Sequence, residues 1–454
     1  MRDKLILGMR AFFAGKLYPI SLGAVVLLSH IFGLEAIGAP IIVLAFILTL
    51  FIFDSAEYTL APIVLFTYLL SREHTPSVPS YSDYLTSPLP LTVIILMAVA
   101  LAVSIVCFFL RGKKYKQIKL RYNPIFSALV VFCLLLFVSA FASGENVWKN
   151  IAFAAVESVA LIIPFLLFCF GIPKERCVGE LAEGLPFAAL VSSTVIVIEL
   201  FVLFITTDVF SGGSLNKEAI TLGWGIWNSI GGMLTLSIPL LFLGAIKTRH
   251  TALYYGAALV SYLASVLTLS RNSLVVGTLI FGICSIACAI FGKKKRTFRR
   301  ILLVLVCIFA VFALVFSSKI AEILSDYIDR GFSDNGRFEL WRASFAAFLE
   351  NPILGIGFHN YGGEYYQFAA FMPRLPHNTL LALLGGGGIL LTLAYLAYRA
   401  TTVALFVRKP SLEKTLLGLC VLTLILGSLL DNYIFNFYPT FMYTAAISIA
   451  RRLD

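Results

Sequence analysis

The segment LTVIILMAVALAVSIVCFFLRGKKYKQIKLR, residues 91–121, decides the fold class. Its first twenty residues carry no charge, and its last eleven carry six Lys or Arg. Twenty such residues in a helix reach about 30 Å, the thickness of a bilayer's hydrocarbon core. A basic run directly behind them marks the cytoplasmic end of a span. Over all 454 residues, 59% are hydrophobic and 13% charged, with a mean hydropathy of +0.93. A soluble chain of this length would carry about 25% charged residues. Water-soluble classes are excluded, and the chain reads as an all-α, polytopic transmembrane helical bundle.

Outward from that segment, fourteen apolar runs of spanning length follow one another. They fall near 17–34, 36–53, 56–71, 91–110, 122–143, 151–171 and 185–207. The others fall near 223–246, 251–269, 272–291, 301–317, 377–398, 415–431 and 434–450. The third is short and contains Pro62, so 12 to 14 crossings are expected, the third run being a re-entrant candidate. Charge supplies an independent check on this count. With a cytoplasmic N-terminus, 26 Lys and Arg and 8 acidic residues fall inside, against 9 and 14 outside. Glu157 and Glu199 lie within spans. The formal +11 is thus +18 inside, −5 outside and −2 in the membrane. That is the positive-inside pattern, with both termini cytoplasmic. Nucleic-acid binding drops out, because the basic runs sit at cytoplasmic span ends.

No secretory signal peptide is expected, since the first apolar run leads straight into further spans. Seven of the eight cysteines lie in spans and Cys177 in a cytoplasmic loop, so no external disulfide is expected. Cys284 and Cys288 are one helical turn apart but lack a His or carboxylate companion, which favours packing over metal ligation. His30, His74 and His250 have no convergent partner in the sequence pattern, and no HxxxH motif or carboxylate pair marks a metal site. Intramembrane acids are functional candidates by default, and Glu157 and Glu199 qualify unless hydrated near a span end. Asp431 and the NYIFNFYP after it read as an outer aromatic belt.

One connection is long: residues 318–376, between the eleventh and twelfth spans, external by the charge count. Loops of this length are usually functional or disordered, and the aromatic content here argues against disorder. Ser333, Asp334 and Asn335 offer helix caps, and Phe338, Trp341, Phe345 and Phe348 follow at helical spacing until Asn351-Pro352. This amphipathic helix suits the outer membrane surface or packing on the spans. The glycines of NPILGIGFHNYGG permit tight turns, and PRLPHN returns the chain to the membrane with His377 at the mouth of the twelfth span.

The string GRFELWRASFAAFLENPILGIGFHNYG, followed by PHNTLLALLGGGGIL, resembles the bacterial O-antigen ligase and polymerase superfamily. The likeness rests on Gly-Arg, Trp four residues on, Asn-Pro, Gly-x-Gly, His-Asn opening a span, and an earlier Ser270-Arg271 at a span's outer end. It covers roughly residues 262–430 and divides the chain into an N-terminal transmembrane region, 1–250, and a ligase-like region, 251–454. Family members often carry an acidic residue in the span after His-Asn, where this chain has Gly385-Gly386-Gly387-Gly388. The resemblance implies a glycosyltransferase C-like fold and a donor glycan on undecaprenyl diphosphate. It further implies work at the outer face of the bacterial cytoplasmic (inner) membrane, with no metal and no cofactor. The acceptor would be a glycan, lipid or protein hydroxyl, with membrane lipids as surroundings.

The residue chemistry is compatible with that expectation. A diphosphate leaves readily once its charge is neutralised, and arginine's planar fork binds phosphate oxygens in pairs without deprotonating. Arg271 and Arg337 are therefore the candidate diphosphate ligands, with Arg374 a weaker contact. The acceptor hydroxyl must lose a proton, and histidine suits that at neutral pH. His377 is the candidate base, with Asn378 and Trp341 in support. The bland readings are a span-end anchor for His377 and Arg271, a solvated helix charge for Arg337, and packing for Trp341. His359 reads as a turn residue, and Arg330 and Arg342 as surface charge. A ligase is the first choice and a polymerase the alternative. A lipid-linked glycan transporter or flippase competes from another class, but internal repeats and midplane polar groups are lacking. A metal-dependent oligosaccharyltransferase would need an acidic motif in a long first external loop, which here is only GLEAIG.

Overall fold

The computed structural model describes residues 2–69, 91–111, 123–142, 144, 147–207, 220, 227–315, 317, 336–358, 360, 376–430 and 437–453. Arg374, His359, His74, Arg330, Asp431 and residues 333–335 fall outside them. Among the described residues the chain is helical throughout, without strands. The N-terminal half builds α1 (Arg2–Ala14), α2 (Leu17–Phe32), α3 (Glu35–Ile52), α4 (Leu60–Leu69), α5 (Leu91–Leu110), α6 (Pro124–Ala140), α7 (Val147–Phe170) and α8 (Ala182–Thr206). The other half builds α9 (Trp227–Lys247), α10 (Thr251–Leu267), α11 (Arg271–Phe291), α12 (Lys295–Val315), α13 (Arg337–Glu350), α14 (Thr379–Val407), α15 (Leu412–Ser428) and α16 (Phe437–Arg452).

Each of the fourteen apolar runs coincides with one of these helices. The protein is a polytopic helical membrane protein. Among the described residues, six helices are each long and apolar enough to cross a membrane: α3, α7, α8 with the turn before it, α9, α11 and α14. A seventh candidate is α1 with α2, bent by 72° at Gly15 and Lys16. The sequence reading of 12 to 14 crossings also counted shorter runs, such as α6, α10 and α15 with 17 residues each. The third run is the shortest, with ten residues in α4 after a 3-10 turn at Glu57–Thr59. At 1.5 Å per residue it covers about half a hydrocarbon core.

The centre of the bundle is α9, 89% of whose apolar window is buried. It packs on α8, α10, α11 and α15. Small residues make this approach possible: a Cβ on Gly231 would meet the Ser273 and Thr268 hydroxyls, and one on Gly244 the Tyr254 ring. A helix apolar on every side has to be covered on every side.

Basic side chains close the carboxyl ends of several helices, whose last carbonyls have no partner within the helix. Arg111 donates to the carbonyls of Leu50 (2.8 Å), Phe51 (2.6 Å) and Phe53 (2.7 Å) at the end of α3. Lys294 binds the Thr248 carbonyl after α9, Arg299 that of Ala289 in α11 (2.9 Å), Lys414 that of Arg408 after α14, and Arg452 that of Cys169 in α7 (3.0 Å). All lie on the side that the charge count assigns to the cytoplasm. Arg399, one residue past the run near 377–398, is buried in α14. Its guanidinium sits 5.0–5.1 Å from the ring centres of Tyr395, Tyr398 and Tyr443.

The four glycines of α14 have a packing reason. At Gly388 (φ 65°, ψ −168°) the helix is broken, and the segment after α13 lies against the break. Ile389 N–H donates to Pro352 O (2.9 Å), and Ile356 N–H to Gly385 O (3.2 Å). A Cβ on Gly388 would stand 2.4 Å from the Ile353 backbone, and one on Gly355 (φ +69°) 2.4 Å from that of Gly386. An acidic side chain has no room here. Gly388→Ala is therefore expected to cost about 1–3 kcal/mol through the left-handed backbone and overpacking. Thermal unfolding in detergent should show a clear loss for Gly388→Ala and almost none for Gly256→Ala, whose Cβ would meet nothing within 4 Å.

Candidate functional site

Two helix amino-termini, those of α11 and α14, are built alike and meet the carboxyl end of α15. Ser270 caps α11 by accepting from Ser273 N–H (3.3 Å), and Asn378 caps α14 by accepting from Leu381 N–H (3.1 Å). Each cap follows a residue in the left-handed region, Leu269 at φ 56° and His377 at φ 48°. Such backbone is uncommon outside glycine and needs surrounding contacts to hold it. Across from them, Asn378 Nδ2 donates to Leu429 O (3.0 Å) and Asn272 Nδ2 to Gly427 O (3.3 Å). The ends carrying Arg271 and His377 thus share one support.

The loop helix α13 joins this cluster. Gly336, in the left-handed region, stands at its N-cap position without a side-chain cap. Its buried face is Leu340 with the small residues Ala343, Ser344 and Ala347, which let it lie on α14. Ser344 Oγ donates to Leu381 O (2.7 Å), and Trp341 Nε1 to Pro376 O (2.7 Å). Trp341 is thereby tied to the residue before His377. The aromatic face points the other way, with Phe338 56% and Phe345 47% exposed. With Trp341, Arg342, Leu349 and Leu381 these rings line an open groove of about 510 Å³.

Of the sequence-named site residues, Arg271, His377, Asn378 and Trp341 belong to one connected cluster, and Arg337 opens α13 one turn before Trp341. Arg271 is exposed and Arg337 half-buried, and neither has an ion-pair partner among the described residues. Arg374 lies outside those residues. His377 is half-buried. Asn272 was not singled out from sequence, although an Asn behind a span-opening Ser-Arg pair is a possible tie to a neighbouring helix end.

Two expectations are corrected by packing. His30 does have partners: its Nδ1 stands 2.7 Å from Glu199 Oε1 and its Nε2 3.3 Å from Leu69 O. Tyr68 donates to the other Glu199 oxygen. Glu199 is therefore a buried, paired acid, the first of the two readings open to it in the sequence. Tyr438, read as part of an outer belt, is fully buried and hydrogen-bonds Ser192 Oγ at 2.7 Å. These partners are 39 to 246 residues apart in sequence, beyond the reach of periodicity. Cys284 and Cys288 are buried, and no three His, Cys, Asp or Glu side chains converge among the described residues.

A multi-pass helical membrane protein with its polar cluster at one rim is the class these features define. Residues 256–396, just under a third of the chain, match the O-antigen ligase family model. That segment runs from α10 into α14 and contains Ser270, Arg271, Arg337, Trp341, His377 and Asn378. The match makes this segment similar to the O-antigen ligase family and supports a membrane enzyme of the O-antigen ligase or polymerase type. No curated protein matches the chain.

The Trp341 bond is open to a direct test. Trp341→Phe keeps a ring and removes the donor, leaving the buried Pro376 carbonyl without it. A loss of about 1 kcal/mol is expected, read as a melting temperature lower by a few degrees in detergent.

Proposed function

We propose that the protein transfers a glycan from undecaprenyl diphosphate to an acceptor hydroxyl at the outer face of the bacterial cytoplasmic membrane, as a ligase, with both termini inside. The acceptor oxygen attacks the anomeric carbon, the bond from that carbon to the diphosphate oxygen breaks, and the diphosphate leaves with the electron pair. Arg271 and Arg337 hold the diphosphate oxygens and stabilise the charge that develops there. Arg374 adds a weaker contact. His377 takes the hydroxyl proton. Asn378 and Trp341 fix the backbone on either side of it. No metal enters this scheme.

The observation that carries this reading is the backbone of His377. It is left-handed and sits between Pro376, whose carbonyl is bound by Trp341, and Asn378, whose side chain both caps α14 and reaches Leu429. Strain held by contacts on both sides is characteristic of functional positions. A second support is the contrast in charge use. At the opposite end of α11 and α14, Arg299 and Lys414 are occupied with helix carbonyls, whereas here neutral Asn272 and Asn378 take that role beside Arg271.

The test is transfer by purified, correctly inserted protein given an undecaprenyl-diphosphate-linked oligosaccharide and candidate acceptors, with products read by mass spectrometry. His377→Ala should lower turnover by about 10²- to 10⁴-fold, the usual worth of a general base. Arg271→Ala and Arg337→Ala should each cost roughly 10-fold or more in kcat/KM. Full transfer by His377→Ala would overturn the base assignment. Donor movement across the bilayer without bond cleavage would favour a transporter, and a lengthened lipid-linked glycan a polymerase.

A further inference from the structure

Beneath Arg271 the structure holds a set of buried polar atoms with no hydrogen-bond partner. They are Asn272 Oδ1, Ser273 Oγ and Ser428 Oγ, on residues that are 5%, 2% and 2% exposed. Asn272 and Ser273 border a small cavity of about 10 Å³ between α9, α11 and α15, with Thr235, Thr423 and Gly427 on its other walls. Buried hydroxyl and amide oxygens in apolar surroundings each cost free energy unless something bonds to them. A cavity of this size takes one water molecule, and a buried water needs two to four polar partners. Asn272 Oδ1 and the Ser273 hydroxyl are the unpartnered oxygens on residues bordering it, and they are the atoms such a water would bond.

We propose that Asn272 is a positioning residue for the transfer reaction and that it acts together with one water molecule held in this cavity. The proposal rests on the reading that Arg271 and His377 serve the same reaction. Through Nδ2 on Gly427 O, and through Oδ1 on the water, Asn272 fixes the start of α11 to the end of α15. Two residues further along, Leu429 O receives Asn378, the neighbour of His377. Helices α11 and α14 both pack on α15. The short stretch from Gly427 to Leu429 therefore sets how far the arginine stands from the histidine. Diphosphate ligand and base have to be held to within about half an ångström of the productive geometry. A side chain at Asn272 that loses either bond loosens one end of that support without touching substrate.

The experiment uses the full chain in nanodiscs, with an undecaprenyl-diphosphate-linked oligosaccharide as donor. Turnover is normalised to the folded, monodisperse fraction. Asn272→Ala should lower normalised kcat about 10-fold while donor KM changes less than about 3-fold. Asn272→Ala with Asn378→Ala should fall well short of the product of the two single losses, because both act through one segment. A role in folding alone would lower the folded fraction and leave normalised kcat at the wild-type value, which would overturn the proposal. Additive effects of the two substitutions would overturn it as well. Ser273→Ala reports on the water without any activity assay. If the cavity is wet, removing that hydroxyl lowers the melting temperature; a rise would show an unpartnered hydroxyl in a dry cavity and sink the water's part. A wild-type protein with no transfer activity would instead fault the functional reading itself.

Discussion

Helix ends in apolar surroundings leave carbonyl and N–H groups that must find partners, and this requirement organises the molecule. At one end of the bundle the partners of the carbonyls are cations. Arg111, Lys294, Arg299, Lys414 and Arg452 each close a helix terminus. The basic runs that read as an insertion signal therefore also finish the hydrogen bonding of α3, α9, α11, α14 and α7. At the other end, the carbonyls of α15 are met by two asparagines, and amino-termini are closed by Ser270 and Asn378. One physical requirement thus has a charged solution on one side and a neutral one on the other.

This asymmetry bears on what the rim can bind. Where cations are bonded to backbone, they have little left for an anion. Where asparagine does that work, an exposed arginine keeps its full fork for a phosphate group. The fold adds a second element through α13. Its small-residue face lies on α14, so its aromatic face with Phe338 and Phe345 is turned outward beside the same cluster. The break at Gly388 is what lets the segment behind α13 settle against α14. Helix, loop and glycines form one unit.

Much of this was legible in the sequence, and the parts that were not share a cause. Apolar runs and their order are local, so every run fell on a helix, and the stop of α13 at Asn351-Pro352 was readable from proline chemistry. The ordered motif around Arg271, Arg337 and His377 singled out one segment. Partners across the bundle were not readable. His30 with Glu199, Tyr438 with Ser192, and the tyrosine cage of Arg399 are contacts between helices, and no period in the chain encodes them. Arg399 shows the limit most clearly: it follows the apolar run near 377–398, and its depth depends on where the helix actually stops, at Val407.

The end of α15 carries a constraint of another kind. Successive residues of a helix are rotated by about 100°, so inserting or deleting one residue in α15 would turn the Gly427 and Leu429 carbonyls away from both asparagines at once. Lipid-facing side chains such as Leu422 are free to exchange among apolar residues. The number of residues between Ser411 and Leu429 is not. In this helix it is length, more than composition, that selection has to preserve.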